Sequence, residues 1–285
     1  MIYQPYNAKI KLQIIATPIG NLNEVSSRCL ETLKTCECIL CEDTRVTSKL
    51  LVKFNINNKE LISYQKFNEK KKLELAISKI KSKKTVLVSD AGYPCISDPG
   101  YRLVDECYKQ NITIEVINGP SSIMHAVVVS GLNLNNFYFN GFLPASKTQR
   151  IKRLNELKQL QTSIICFESV YRIKDSLNDI NSIFNRPYLV VCRELTKLNE
   201  TIYRGYYKDI INSIVEKGEF VIIIDFQSRK NINIDYSKIE IVKLVKKTLK
   251  ENNCPLKVAC KKIALQLNLQ VSLVYNIYVE SQRIK

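Results

Sequence analysis

Residues 85–100 read TVLVSDAGYPCISDPG and are the most informative stretch of the chain about its fold. Its first residues, 85–89, form a short β-branched apolar run that predicts a buried strand. The residues that follow are rich in Gly, Pro, Ser and Asp, which predicts a loop where a ligand can approach the backbone closely. A buried strand that ends in such a loop is typical of a parallel sheet whose carboxyl edge binds ligands.

The same alternation of strand and helix extends in both directions from this stretch. Strands are predicted at residues 12–16, 38–41, 61–64, 85–89 and 113–117, and helices at 26–33, 44–54, 68–83, 99–110 and 121–130. The pattern restarts after Gly131, with strands at 137–141, 163–167, 188–193, 201–205 and 219–225 and helices at 148–160, 171–184 and 207–216. Such alternation predicts mostly parallel sheets covered by helices. We therefore predict two α/β domains, residues 12–131 and 136–226.

A polar linker at residues 227–237 precedes a basic helical tail, residues 238–285. The tail is predicted to form three helices, at 239–250, from Pro255 to about 267, and from a capping Ser272 to about 279. Its apolar spacing resembles a helix-turn-helix core made of Ala259, Ile263, Ala264, Leu267, Leu269, Val274 and Tyr275. Lys257, Lys261 and Lys262 then remain outside for phosphate contacts. A small helical cap on the second domain is the alternative for this pattern.

Charge is the global anomaly of the chain. It has 43 Lys+Arg against 27 Asp+Glu, a net charge of +16 with its single His neutral. Residues 227–285 hold 12 basic and 4 acidic residues, so half of the excess lies in the linker and tail together. This excess favours a polyanionic partner, with nucleic acid ahead of an anionic membrane surface. A compositional bias toward Lys is the alternative, but it explains the shortage of Glu in the tail less well.

Length and composition predict a soluble cytoplasmic protein. The 285 residues, 45% of them hydrophobic, support more than one packed domain. No stretch approaches the ~18 apolar residues of a membrane span, and residues 1–11 lack the layout of a signal peptide. The ten cysteines are therefore expected to remain thiols.

Four predicted strands of the first domain end in unusual loops. The loops are ATPIGNL at 16–22, EDTR at 42–45, SDAGYPCISDPG at 89–100 and NGPSS at 118–122. The carboxyl ends of parallel strands meet at one edge of a sheet, so these loops are expected to open there together. Gly92, Gly100 and Gly119 would let a ligand approach the backbone, and Asp98-Pro99 is predicted to start a helix as its N-cap and first residue.

Missing motifs narrow the class of ligand. The sequence contains no GxGxxG after a strand and no GxxxxGK[ST], so neither a common dinucleotide site nor a P-loop is supported. The only histidine, His125, lies in a predicted helix, which argues against His-based triads and most zinc hydrolases. We expect His125 to be a packed or capping residue. Cys36, Cys38 and Cys41 run into a predicted buried strand, so we expect no metal site there.

Charged residues also follow strands of the second domain. Glu168 and Arg172 follow its second strand, whereas Arg193, Glu194 and Lys197 end or follow its third. The basic residues of this set could position phosphates, and the acidic ones could hold ligand hydroxyls or amines. A solvated strand edge is the alternative.

Eight motifs follow one another along the chain: ATPIGNL, CEDTR, SDAGYPCISDPGYR, GPSS, GFLP, FES-x-x-R, CRELTK-x-x-E and KGEF. Together they resemble the ribosomal RNA small subunit methyltransferase I family over about residues 12–278. The resemblance implies a tetrapyrrole methylase fold and transfer of a methyl group from S-adenosylmethionine to the ribose 2′-oxygen of a cytidine in the decoding region of 16S rRNA. Relatives often carry two histidines where this chain has Gln65 and Phe67, so no role for histidine carries over.

The resemblance implies a cofactor cleft between the two α/β domains. The residues expected to bind S-adenosylmethionine are Pro18, Gly20, Asn21, Asp90, Gly92, Pro94, Ile96, Ser97, Gly119, Ser121, Ser122, Phe167, Glu168 and Ser169. The ribose hydroxyl must be oriented and must lose its proton, and the candidate bases are Glu42, Asp43 and Asp98. The residues expected to contact RNA are Arg45, Arg172, Arg193, Lys197, Lys257, Lys261 and Lys262.

The resemblance further implies a homodimer that acts on 16S rRNA or the small ribosomal subunit. Methylation of a tetrapyrrole or another small metabolite is one alternative, although it would not call for such a basic chain. A non-catalytic RNA-binding assembly factor is another, and the intact cofactor-type loops argue against it.

Overall fold

A computed structural model describes residues 12–226, 238–252, 254–267 and 269–283. The chain divides into two compact units, with the division between Asp225 and Phe226. The first unit contains two five-stranded sheets, and the second contains the helical tail. Within the described ranges, no helix is both long and apolar enough to cross a membrane.

The first sheet is formed by strands that alternate with helices, as predicted. The strands are β1 Leu12–Ile15, β2 Cys38–Cys41, β3 Glu60–Ser63, β4 Thr85–Val88 and β5 Ile114–Ile117, and the helices are α1 Ser27–Thr35, α2 Thr44–Lys53, α3 Glu69–Ser82, α4 Tyr101–Lys109 and α5 Ser122–Ser130. The strands are parallel, in the order β3-β2-β4-β1-β5. β2 and β4 are buried on both faces, which explains their nearly unbroken apolar sequences.

The second sheet is mixed. Its strands are β6 Phe137–Phe142, β7 Ser163–Glu168, β8 Tyr188–Arg193, β9 Thr201–Tyr206 and β10 Phe220–Asp225, accompanied by α6 Lys147–Gln159, α7 Ile173–Phe184 and α8 Tyr207–Ile210. The order is β6-β7-β10-β8-β9, with β10 antiparallel to both β7 and β8 and β6 parallel to β7. The ends of β6, β7 and β8 therefore lie at the edge where β10 begins.

The start of α4 differs from its prediction. Asp98-Pro99 was expected to form the N-cap and first residue, but the helix begins at Tyr101 and Gly100 is its N-cap, with φ of 133°. A residue with a Cβ rarely adopts this φ, so glycine is required at the turn. The Gly100 N–H donates a hydrogen bond to the buried Glu69 carboxylate at 3.0 Å. That bond replaces a side-chain cap and leaves Asp98 in the loop.

Two helices of the second sheet are shorter than predicted. The helix expected at residues 207–216 is the single turn α8, followed by a 3-10 turn at Ile211–Ser213. The helix expected from residue 171 begins at Ile173, because residues 169–172 form a hydrogen-bonded turn.

Helix α5 follows the first sheet in sequence but packs in the core of the second. Its residues Ile123, Ala126 and Val127 belong to one hydrophobic cluster with Ile165 and Val190 of the second sheet. The limits of the two predicted α/β domains, 12–131 and 136–226, remain predictions. The contacts of α5 nevertheless explain why residues up to Asp225 behave as one compact unit.

The tail consists of α9 Lys238–Asn252, α10 Leu256–Leu267 and α11 Val271–Arg283. Its core contains most of the predicted set, namely Ala259, Ile263, Ala264, Leu267 and Val274. Tyr275 was also expected in the core but is exposed, and Leu269 is half-buried. Ser272 was predicted to cap the third helix, but α11 already begins at Val271. Lys257, Lys261 and Lys262 are exposed, as predicted.

Candidate active site

A cavity of about 480 Å³ is lined by residues from the edges of both sheets. The first sheet contributes residues that follow β1, β2, β4 and β5, and the second contributes the end of β7 and the start of β10. The lining is mostly apolar and includes a few carboxyl and hydroxyl groups. Size and composition are those of a small-molecule site.

Hydrogen bonds connect the loops of the first sheet to one another beside this cavity. The Thr17 N–H donates to the Gly92 carbonyl at 3.0 Å, and the Gly92 N–H donates to the Thr17 carbonyl at 3.1 Å. The Tyr93 hydroxyl accepts the Gly119 N–H at 3.2 Å. A Cβ on Gly119 would lie 2.7 Å from the Ala16 carbonyl oxygen, so this glycine permits packing of the backbone rather than approach of a ligand.

The first sheet contributes three carboxyl side chains to the lining of the cavity: Glu42, Asp90 and Asp98. Burial is the main cause that raises the pKa of each of them. Asp98 and Asp90 raise the pKa of Glu42 further by charge repulsion, whereas a hydrogen bond from the Ser89 hydroxyl lowers the pKa of Asp98. The cavity therefore concentrates negative charge where water is partly excluded. Such a site favours a cationic ligand and makes a carboxylate a stronger base than it is in water.

Asp43 is adjacent to Glu42 in sequence but lies outside the lining of the cavity. Its carboxylate caps α2 by accepting the Arg45 N–H at 2.8 Å, and it pairs with the Arg45 guanidinium at 2.6 Å. These hydrogen bonds lower the pKa of Asp43 to about 2. A carboxylate that holds a proton so weakly is a poor base. The geometry therefore separates Asp43 from the other two candidate bases.

Glu168, at the end of β7, is buried and fully engaged. Its carboxylate accepts the Ser169 N–H at 2.7 Å and the Ser176 hydroxyl at 2.6 Å, and it pairs with the Arg172 guanidinium at 2.7 Å. These partners occupy its oxygens. We therefore revise its expected contact with a ligand hydroxyl or amine: Glu168 holds the turn at residues 169–172, which borders the cavity.

Arg193 is buried and is not exposed to a substrate. It is 8% exposed, and its guanidinium donates to the carbonyls of Lys217 at 2.6 Å and Asn199 at 3.0 Å. Contact of Arg193 with phosphate stays a prediction, and this geometry does not favour it. An arginine that satisfies backbone carbonyls in the interior holds two loops together.

Lys197 and Glu194 are also engaged within the protein. The Lys197 ammonium pairs with the carboxylates of Glu194 at 2.9 Å and Glu219 at 2.7 Å. Glu194 additionally accepts the Glu219 N–H at 3.0 Å, and these partners outweigh its burial, so that its pKa is lowered. These two carboxylates neutralise the charge of Lys197, so the geometry does not favour the contact with phosphate that is expected for it.

Gly20 and Asn21 lie in the loop after β1 and contact the loop after β8. The Asn21 N–H donates to the Thr196 hydroxyl at 3.1 Å, and a Cβ on Gly20 would overlap the Lys197 side chain. Their neighbour Ile19 lines the cavity. A role for Gly20 and Asn21 in cofactor binding stays a prediction. Their contacts support an indirect role, in which they position Ile19 at the cavity.

The structure brings most of the predicted catalytic and cofactor-binding residues to the lining of the cavity. In the part of the chain that it describes, the predicted residues in the lining are Glu42, Asp90, Gly92, Ile96, Ser97, Asp98, Ser121, Ser122, Phe167, Glu168 and Ser169. Those outside the lining are Pro18, Gly20, Asn21, Asp43, Pro94 and Gly119.

Sequence reasoning missed several lining residues, which are Ile19, Ala91, Tyr93, Ile123, Phe142, Val170, Leu195, Gly218, Glu219, Phe220 and Val221. A signal for some of them was available, because GFLP contains Phe142 and KGEF contains residues 218–220. Gly218 has φ of 86°, and a Cβ there would overlap the Glu194 side chain. This glycine is thus required by the close packing of two loops.

His125 and the clustered cysteines lie apart from this chemistry. His125 is in α5, with its Nε2 3.6 Å from a Glu200 carboxylate oxygen. Cys36, Cys38 and Cys41 are buried in the core, and burial raises the pKa of each thiol. Among the described residues, no group of three or more His, Cys, Asp or Glu side chains could hold a metal ion.

Residues 11–211 match the family of tetrapyrrole (corrin/porphyrin) methylases. The ribosomal RNA small subunit methyltransferase I of Mycoplasma pneumoniae is 40% identical over 278 residues, which cover 95% of this chain and 99% of that protein. The protein of the same name from Mycoplasmopsis pulmonis is 46% identical over 219 residues, 75% of this chain and 96% of that protein. A crystal structure of diphthine synthase shares the fold, with a TM-score of 0.57 at 13% identity, and the match covers 75% of this chain and 89% of that one.

The family match spans β1 to β9 and therefore most of the cavity lining. It confirms the predicted tetrapyrrole methylase fold, and the relative from Mycoplasma pneumoniae extends the similarity over nearly the whole chain. The chain belongs to the ribosomal RNA small subunit methyltransferase I family of the tetrapyrrole methylases.

Proposed function

We propose that this protein transfers a methyl group from S-adenosylmethionine to the ribose 2′-oxygen of a cytidine in the decoding region of 16S rRNA. The observation that carries the proposal is the cavity of a methylase fold that gathers Glu42, Asp90 and Asp98 with raised pKa values. The names of the relatives support small-subunit rRNA as the substrate. The net charge of +16 supports a polyanionic substrate over a small metabolite.

The size, apolar walls and carboxylates of the cavity support S-adenosylmethionine as its ligand. Its apolar walls suit the adenosine part, and the carboxylates of Asp90 and Asp98 complement a positive sulfonium. The other predicted residues that would hold the cofactor from the lining are Gly92, Ile96, Ser97, Ser121, Ser122, Phe167 and Ser169. When bound, the cofactor supplies an activated methyl group and leaves as a neutral thioether.

Glu42 is the proposed general base. A ribose hydroxyl is a poor nucleophile because its pKa lies far above neutral, so a nearby group must accept its proton as the new bond forms. Among the first-sheet carboxylates of the lining, Glu42 is the one whose pKa is raised by the charges of three neighbours, Asp98, Asp90 and Asp43, in addition to burial. Asp90 alone acts on the pKa of Asp98 in this way, and Glu42 and Asp98 each accept a hydrogen bond that lowers the pKa.

Asp98 is proposed to bind the cofactor through its charge, which leads to a selective prediction. We expect Asp98→Asn to weaken S-adenosylmethionine binding by about tenfold and to leave S-adenosylhomocysteine binding nearly unchanged, because only the first ligand is a sulfonium cation. Titration calorimetry with both ligands measures the difference. Asp43→Asn, which removes a charge outside the lining, is the matched control. Equal losses for the two ligands would show that Asp98 acts through shape rather than charge.

RNA contacts are proposed for surfaces with exposed basic groups. The Arg45 side chain is 85% exposed, and its pairing with Asp43 leaves it open to solvent. Arg172 is partly exposed beside the cavity. The tail adds Lys257, Lys261 and Lys262, whose attraction to phosphate does not depend on sequence. A homodimer in the cytoplasm, as the family resemblance implies, completes the proposal, and light scattering of the purified chain tests the dimer.

The proposed function is tested by offering several substrates to the purified protein with labelled S-adenosylmethionine. The substrates are small ribosomal subunits, naked 16S rRNA and a tetrapyrrole precursor. We expect label in the rRNA of one or both ribosomal substrates. Label in the tetrapyrrole alone would assign the protein to small-molecule methylation, and cofactor that binds but is never consumed would indicate an assembly factor.

A further inference from the structure

Tyr171 is 92% exposed, an unusual environment for a large aromatic side chain. It lies in a turn at residues 169–172, which the Arg172 N–H closes by donating to the Ser169 carbonyl at 3.1 Å. Val170, the residue before it, lines the cavity, as does Ser169. The turn therefore presents one apolar side chain to the cavity and the next to solvent.

This turn is held rigidly by a buried charge. The Glu168 carboxylate binds the Ser169 N–H and the Arg172 guanidinium, both at 2.7 Å, and the Arg172 Nε also donates to the Ser169 hydroxyl at 3.1 Å. Both ends of the turn are thus fixed to one buried group. Tyr171 at its tip has a defined backbone position, and its ring has only two side-chain torsions to immobilise when it binds a partner.

The cavity beside this turn also has exposed apolar walls. Among the lining residues, Ile96 is 55% exposed and Phe142 is 54% exposed. Phe142 packs edge-on against Phe167, with ring centroids 5.5 Å apart, which fixes it at that wall. Flat apolar groups with a guanidinium nearby are features of proteins that bind unpaired bases of RNA.

We propose that Tyr171 is a stacking platform for an unpaired nucleobase of the RNA strand that brings its ribose to the cavity. This inference rests on the proposed function and deepens it, because it adds a residue that contacts the substrate. A ribose enters a cavity such as this one more readily when its nucleotide leaves the regular stack, and a neighbouring base then loses a stacking partner. A ring on a rigid turn at the cavity would compensate for the lost stacking and hold the ribose in place.

The test compares methyl transfer to small ribosomal subunits by full-length variants at Tyr171. We expect Tyr171→Ala to raise KM for the subunit by about tenfold while kcat changes by less than about twofold, since loss of one base stack weakens substrate binding. Tyr171→Phe keeps the ring and should stay near the wild type. Tyr171→Leu keeps apolar bulk without a π-face and should resemble the alanine variant. Titration calorimetry should give unchanged affinity for S-adenosylmethionine in each variant.

Tyr108→Ala is the matched control, because Tyr108 is a 38% exposed tyrosine near the far end of α4 from the cavity loops. We expect it to behave as the wild type. The inference is overturned if Tyr171→Ala leaves KM unchanged or if Tyr171→Leu performs as well as Tyr171→Phe. If the wild-type protein transfers methyl groups to no RNA, the proposed function itself is overturned. If the wild type methylates RNA and Tyr171→Ala is equally active, only the stacking role is overturned.

Discussion

Replacing Glu42 with Gln is expected to lower kcat for methyl transfer by about 10²-fold to 10⁴-fold, the usual contribution of a general base. The side chain keeps its size but loses the ability to accept the ribose proton. Affinity for S-adenosylmethionine should fall by no more than about threefold, because the cavity keeps the carboxylates of Asp90 and Asp98. Single-turnover kinetics with saturating cofactor measure the first quantity, and titration calorimetry measures the second.

The neighbouring residue supplies a matched control for this substitution. Asp43→Asn removes a carboxylate one position away that lies outside the cavity lining and whose pKa is already lowered to about 2. It should reduce kcat by less than about threefold and should leave α2 capped, because Asn and Asp are similarly good N-cap residues. Equal losses of kcat in the two variants, or a larger loss for Asp43→Asn, would contradict the assignment of the base.

If Glu42 is the general base, kcat should depend on pH in a direction that follows from its raised pKa. Burial and the charges of Asp98 and Asp90 raise the pKa of Glu42 above its ordinary value of 4.5. A base must be unprotonated to act, so kcat should be full above this raised pKa and should be lost as the pH falls through it. Asp98→Asn removes one of the charges that raise the pKa, so the loss should move to lower pH. A shift to higher pH would contradict the account.

Neutralising three exposed lysines of the tail is expected to weaken RNA binding by roughly 10-fold to 100-fold at moderate salt. The variant replaces Lys257, Lys261 and Lys262 with Gln in the full-length chain, where all three are exposed. Each lost phosphate contact should make the slope of log affinity against log salt less negative by ~0.7 to ~0.9, or roughly 2 to 3 for the set. Filter binding of 16S rRNA across a salt series measures this slope.

A matched triple variant distinguishes specific contact from net charge. Lys34, Lys53 and Lys84 are exposed and lie at the amino-terminal edge of the first sheet, opposite the edge that carries the cavity loops. Their replacement with Gln changes the net charge equally but should leave the salt slope almost unchanged. The same slope change in both triple variants would show that the tail lysines act only through overall charge.

The sequence predicted the strands well because most are short apolar runs followed by polar or turn-forming residues. The residues of β2 and β10 are buried throughout, so their composition alone indicates a central strand. The mixed direction of the second sheet could not be predicted in the same way. The sequence of β10 is equally apolar in either direction, and its antiparallel pairing depends on how the connections from α8 return to the sheet.

The sequence predicted site residues well in the loops that follow strands. It predicted them poorly where a charged side chain at a strand end could contact either solvent or the protein backbone. Asp90 and Asp98 reach the cavity because their loop leaves a central strand at its carboxyl end. Arg193 also ends a strand, yet its guanidinium binds the carbonyls of Lys217 and Asn199. The same residue type at the same kind of position can thus contact solvent or backbone, and only the three-dimensional packing of distant loops decides between them.

Gly100 shows that contacts with distant residues also limit the prediction of local structure. The pair Asp98-Pro99 has the composition of a helix start, and sequence rules favour that interpretation. The helix instead begins after Gly100, since the buried Glu69 carboxylate binds the Gly100 N–H from another helix. A partner so distant in sequence is not visible in a local pattern.

The identity of the methylated nucleoside tests whether this protein methylates the ribose of a cytidine. Small-subunit rRNA treated with the protein and labelled S-adenosylmethionine would be digested to nucleosides and separated by liquid chromatography with mass spectrometry. We expect the label in 2′-O-methylcytidine at one position of the decoding region, and no transfer to RNA that already carries this modification. Label in a base-methylated nucleoside, or in the ribose of another nucleoside, would contradict the account.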